Sequence, residues 1–103
     1  MHSMDKQQTR NMDKQRIHLF ITGRVQGVFF RQALKAVARK NNVFGWVRNL
    51  RDGRVEAVVE GDSLSVSYVV EWCHAGPAHA KVDDLDIKSE AYTGEYSKFE
   101  VLY

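Results

Sequence analysis

The chain has 103 residues, 44% of them hydrophobic and 27% charged, the size and mixture of one small globular domain. Its net charge of +2 permits an anionic small ligand but lacks the concentrated basic stripe of a nucleic-acid binder, so no nucleic-acid partner is expected. The single cysteine, Cys73, excludes an internal disulfide and a multi-cysteine metal site, and no apolar run reaches membrane-spanning length.

Residues 1–15 are polar and aperiodic, and Met4-Asp5-Lys6-Gln7 recurs as Met12-Asp13-Lys14-Gln15. This stretch reads as a disordered extension before a domain over residues 16–103. With no signal-peptide core in it, a cytoplasmic location with no membrane partner is expected.

The first strand is expected over Ile17–Thr22, with Ile17, Leu19 and Ile21 on one face and His18 and Phe20 on the other. A turn with two glycines follows, and a helix begins near Phe30. Phe30, Leu34, Val37 and Ala38 form its apolar face, and Asn41-Asn42 ends it. A second strand runs from about Phe44 to Asn49, and Asp52-Gly53 signals a hairpin into a third strand, Arg54 to Gly61. Asp62 and Ser63 are positioned to cap a second helix, in which Leu64, Tyr68 and Trp72 are spaced by four with Val69 and Cys73 beside them. Gly76-Pro77 stops it. A fourth strand spans about Lys81 to Ala91, with a shift of apolar phase between Val82 and Leu85 that predicts a bulge. A short strand from Phe99 closes the chain. The order βαββαβ plus a terminal strand predicts an α+β, ferredoxin-like sandwich, two helices on one face of an antiparallel sheet.

That topology makes strands one and two parallel, with strand three between them. It brings the end of strand one, with its glycine turn, beside Asn49 at the end of strand two. Arg31 stands at the start of the first helix, where a cation is mildly unfavourable unless an anion sits in the turn. Backbone N–H groups from Val25, Gln26, Gly27, Val28, Phe29, Phe30 and Arg31 could cradle a phosphate, Gly27 permits close approach, and Arg31 offers a planar fork of donors. The turn holds no His, Cys, Asp, Glu or Ser, so catalysis there would run on positioning and charge stabilisation with water as nucleophile, without metal or cofactor. Such a site suits a carboxylic-phosphoric mixed anhydride. Its leaving carboxylate, with a conjugate-acid pKa of roughly 4, departs without protonation.

The segment Gly23-Arg24-Val25-Gln26-Gly27-Val28-Phe29-Phe30-Arg31, followed by Gly45-Trp46-Val47-Arg48-Asn49 and Asp52-Gly53-Arg54-Val55-Glu56, resembles acylphosphatase from about residue 17 to the C-terminus. The resemblance implies hydrolysis of small acyl phosphates to a carboxylate and inorganic phosphate. It also implies phosphate binding by Arg31, water positioning by Asn49, and inhibition by inorganic phosphate or sulfate. A monomer is expected. The alternatives are a carbamoyl-phosphate-handling module of the kind found in larger hydrogenase-maturation proteins, a nucleic-acid module on the same fold, and a purely anion-binding regulatory module. Arg24, Arg48, Arg51 and Arg54 are expected as exposed charges, and His18, His74 and His79 as surface residues. Cys73 is expected to pack rather than react, and Phe29, Phe30, Trp46 and Trp72 to serve as core or wall.

Overall fold

The computed structural model describes residues 13–103, so the expectation for residues 1–12 lies outside what is described. The elements are β1 (Lys14–Arg24), α1 (Phe30–Lys40), β2 (Phe44–Asn49), β3 (Val55–Asp62), α2 (Ser63–Cys73), β4 (Lys81–Glu90) and β5 (Phe99–Val101). They form one five-stranded sheet in the order β4-β1-β3-β2-β5. Strand β1 begins at Lys14, before the Ile17 expected from apolar alternation, because Lys14 and Gln15 pair with Asp62 and Gly61 although neither is apolar.

Period-two alternation sorts the two sheet faces. Ile17, Leu19 and Ile21 of β1 and Val55, Ala57 and Val59 of β3 are buried in the core beneath the helices. Helix α1 adds Phe30, Leu34 and Ala38 to that core, with Val37 packed against it. Burying large aliphatic and aromatic side chains contributes about 1.5–3 kcal/mol each.

Helix α2 buries the other side of its surface from the one that the Leu64, Tyr68, Trp72 spacing suggests. Val66, Val69 and Cys73 are buried, whereas Leu64 is 74% and Tyr68 58% exposed. This helix is apolar nearly all round, so two faces satisfy a helical period equally well. The compact Val66-Val69-Cys73 stripe packs on the sheet, and Trp72 meets the Phe30 ring at 5.5 Å. The expected cap also differs. Asp62 precedes α2 but makes no capping hydrogen bond; its carboxylate instead takes Lys14 Nζ at 2.6 Å.

The sheet is mixed rather than wholly antiparallel. β5 pairs parallel to β2, with Gly45, Trp46 and Val47 opposite Phe99, Glu100 and Val101. Strands β4 and β5 occupy opposite edges, so the chain from Ala91 to Lys98 crosses the open face of the sheet. A register shift opposite Thr22/Gly23 sets Thr22 against Asp84 and Gly23 against Val82, in agreement with the expected bulge. Here β1 presses against β4: a Cβ on Gly23 would lie 2.2 Å from the Lys81 carbonyl oxygen. Only glycine fits, and β1 swings out from this point into the loop that precedes α1.

Candidate active site

The loop from Val25 to Phe29 joins β1 to α1, and its backbone carries the unusual geometry of the region. Gly27 has φ 76°. Phe29, with φ 64° and ψ 27°, is a non-glycine residue in the left-handed region, which costs roughly 1–2 kcal/mol. Backbone strain of this kind persists where the surroundings over-determine it. Phe29 is also the residue before the helix, and it supplies no side-chain cap; the first turn of α1 contains no acidic residue. The leading amides of α1 therefore have no carboxylate or hydroxyl partner of their own, and the positive end of the helix faces the loop.

Val25, Gly27, Phe29, Phe30, Arg31, Gln32 and Asn49 line one cavity of about 250 Å³. The sequence placed Arg31 and Asn49 at one cleft, and they do line this cavity together. Of the seven loop residues expected around a phosphate, Gln26 and Val28 do not line it. Val28 packs against the core. The Gln26 side chain turns away and donates from Nε2 to the carbonyl oxygens of Leu50, at 2.8 Å, and Arg54, at 3.0 Å. It thereby ties the loop to the β2–β3 hairpin, next to Asn49. The sequence pattern does not announce that positioning contact; its only signal is a long amide side chain in the turn, between Val25 and Gly27.

Asn49 ends β2 and has a polar atom to spare. Among the described residues, its Oδ1 is the one buried side-chain polar atom with no hydrogen-bond partner. Such an acceptor costs about 1–3 kcal/mol when nothing satisfies it. Arg31 is half-buried, and its guanidinium carbon lies 5.0 Å from the centroid of the Tyr103 ring. Gln32 donates to the Tyr103 hydroxyl at 3.3 Å, so the last residue of the chain borders the site, a contact the sequence pattern did not suggest. Phe29, expected as core or wall, is a wall: it lines the cavity yet is 80% exposed.

The other titratable cluster lies on the opposite, open face of the sheet. His18 was expected at the surface, but it is half-buried there and wedged between two carboxylates. Its Nε2 is 2.7 Å from Glu56 and its Nδ1 2.8 Å from Glu90. Burial alone would lower its pKa, but the hydrogen bonds and charges of Glu90 and Glu56 outweigh it and raise the pKa above the ordinary value. Burial would raise the Glu56 pKa, and hydrogen bonds from His18 and Arg48 outweigh that and lower it. The crossing segment is pinned beside them: Arg16 reaches Glu90, Thr93 and Glu95, and Trp46 donates to the Tyr96 hydroxyl at 3.1 Å. Cys73 lies inside the core, where burial pushes its thiol pKa up to about 12 and leaves it in the neutral form. His74 and His79 are exposed, as expected.

A family model described as Acylphosphatase matches residues 17–101. The acylphosphatase of Pyrobaculum calidifontis is 52% identical over 95 residues, covering 91% of this chain and 86% of its own length. The structure of an acylphosphatase from Coxiella burnetii superposes with a TM-score of 0.84 at 34% identity, covering 90% of this chain and 97% of that one. A HypF from T. kodakarensis superposes with a TM-score of 0.76 at 29% identity over 86% of this chain, but over only 12% of its own length.

Proposed function

The chain belongs to the acylphosphatase family and hydrolyses acyl phosphates, and we propose that Arg31 and the Val25–Phe30 loop hold the phosphoryl group while Asn49 aims the attacking water. The observation that carries this reading is the unpartnered Asn49 Oδ1 on a cavity shared with Arg31 and the head of α1. An acceptor there takes one proton of a water as a hydrogen bond and leaves the water's lone pair free. The left-handed loop and the uncapped helix present amide donors to an anion, and the guanidinium adds two more donors in a plane.

The reaction then balances as follows. The water oxygen forms a bond to phosphorus as the bond from phosphorus to the acyl oxygen breaks. The carboxylate departs with the bonding pair, and a phosphoryl oxygen takes the water's proton. Arg31 and the loop amides bear the negative charge on the phosphoryl oxygens throughout, and their fixed placement supplies the rate enhancement. Inorganic phosphate, as product, and sulfate, as its mimic, fit the same cradle as inhibitors. We take a monomer as the working form and place it in the cytoplasm. No helix among the described residues is long and apolar enough to cross a membrane.

The test is hydrolysis of benzoyl phosphate by wild type and Arg31→Gln in the presence of a strong chelator. Wild type should keep its full rate. Arg31→Gln should lose on the order of 10²-fold or more in kcat/KM, since an amide replaces neither the charge nor the fork. Near wild-type turnover by the variant, or a rate that the chelator abolishes and added Mg²⁺ restores, would overturn the scheme.

A further inference from the structure

Helix α1 carries a row of cations that the phosphoryl site alone does not explain. Arg31, Lys35 and Arg39 are spaced by four, so they stack along one face, roughly 6 Å apart along the axis. Like charges at that spacing repel, and α1 contains no acidic residue to offset them. Arg31 faces the phosphoryl cavity. Arg39, with Lys40, sits in the last turn, where cations complement the helix C-terminus. Lys35 has neither reason, and among the described residues it makes no ion pair.

A second cavity, of about 500 Å³, opens between α1 and the end of the chain, and Lys35 and Arg39 line it. Its single acidic side chain, Glu100, is paired with Lys98 at 3.2 Å, so Lys35 and Arg39 are left uncompensated. The two cavities adjoin. Gln32 lines both, and its partner Tyr103 stands where they meet, with its ring against the Arg31 guanidinium. Phe99 and Leu102 add apolar wall.

We infer that this groove is the acyl subsite, and that it favours acyl phosphates bearing a second anionic group on the far side of the acyl chain. The inference rests on the phosphoryl end being held by Arg31 and the loop. With that end fixed, the acyl carbons pass Gln32 and lie along Phe99 and Leu102. An anionic group one helical turn beyond Arg31 then meets Lys35, with Arg39 behind it. A neutral acyl chain of the same size gains only the apolar wall.

Benzoyl phosphate and 4-carboxybenzoyl phosphate test this, because they share a rigid ring and differ by one distal carboxylate. The quantity read is the ratio of kcat/KM for the carboxylated over the plain substrate, compared between proteins so that intrinsic reactivity cancels. Wild type at low salt should give a ratio about fivefold above that of Lys35→Gln, the upper range for one half-exposed charge pair, and added salt should erode it. The difference should lie in KM, and Lys35→Glu should lower the ratio further. Lys88→Gln, which removes the same charge from β4, should keep the wild-type ratio. Equal ratios in wild type and Lys35→Gln, or an equal fall in Lys88→Gln, would overturn the subsite. Failure of the phosphoryl reading looks different: Arg31→Gln would then hydrolyse both compounds at the wild-type rate.

Discussion

Replacing Asn49 with alanine should uncouple activity from stability. The side chain is half-buried at the end of β2, and its Oδ1 has no protein partner but borders a cavity wide enough for water to satisfy it. Truncation removes that acceptor. The packing lost is small, because the group already borders a cavity. The change in stability should therefore stay within about 1 kcal/mol, at most about 4–8 °C in Tm for a domain of this size. Turnover should fall much further. If the amide aims the water, its loss should lower kcat by on the order of 10²-fold, the usual penalty for a misplaced reactant. Inhibition by inorganic phosphate should persist, since Arg31 and the loop are intact. The assays are thermal unfolding followed by circular dichroism and steady-state hydrolysis of benzoyl phosphate with phosphate as inhibitor. A Tm several degrees lower, together with ordinary kcat, would mean that Asn49 serves the hairpin and not the water.

Three further outcomes are expected. Gln26→Ala should lose about 1–2 kcal/mol of stability, since both carbonyls it bonds keep another donor, and should also lower kcat/KM by loosening the loop from the hairpin; unfolding and kinetics on one preparation check this. Inorganic phosphate should raise the Tm of wild type and raise it less in Arg31→Gln; equal shifts would place the anion elsewhere. The third concerns His18. Its pKa is raised on folding, so its stabilisation is full below the unfolded value of about 6.5 and fades as pH climbs through the folded value. Wild-type Tm should therefore decline over that range while His18→Gln stays flatter, and the kcat profile of the two should coincide, because His18 lies on the sheet face away from the cavity.

Much of this molecule is legible in its sequence, for identifiable reasons. Strand β1 shows strict alternation and α1 a single apolar face, so their buried residues follow from period alone. The pairing of Arg31 with Asn49 follows from topology, once two parallel strands are known to end on one edge. Helix α2 misleads because its apolar residues surround it, and only contact with the sheet chooses Val66, Val69 and Cys73 over Leu64 and Tyr68. The parallel pairing of β5 is hidden because a three-residue strand carries no directional signal. The Gln26 tie, the Tyr103 contact and the His18 bridge are hidden for another reason. Each joins residues at least 20 apart in sequence, at 24, 71, and 38 and 72 positions, and only the folded register brings them together.

The tight passage of β1 against β4 at Gly23 bears on when the enzyme comes into being. The residues proposed to hold the phosphoryl group and the water, from Val25 to Asn49, lie in the first half of the chain, and a ribosome finishes them early. Yet β1 is paired along β4 as far as Glu90, and Tyr103, which borders Arg31, follows later still. Contacts so distant in sequence form late, because the intervening chain must first give up its freedom. The proposed cradle thus depends on strands made after it: a chain stopped before β4 would carry Arg31 and Asn49 but lack one of the two neighbours that hold β1 in place.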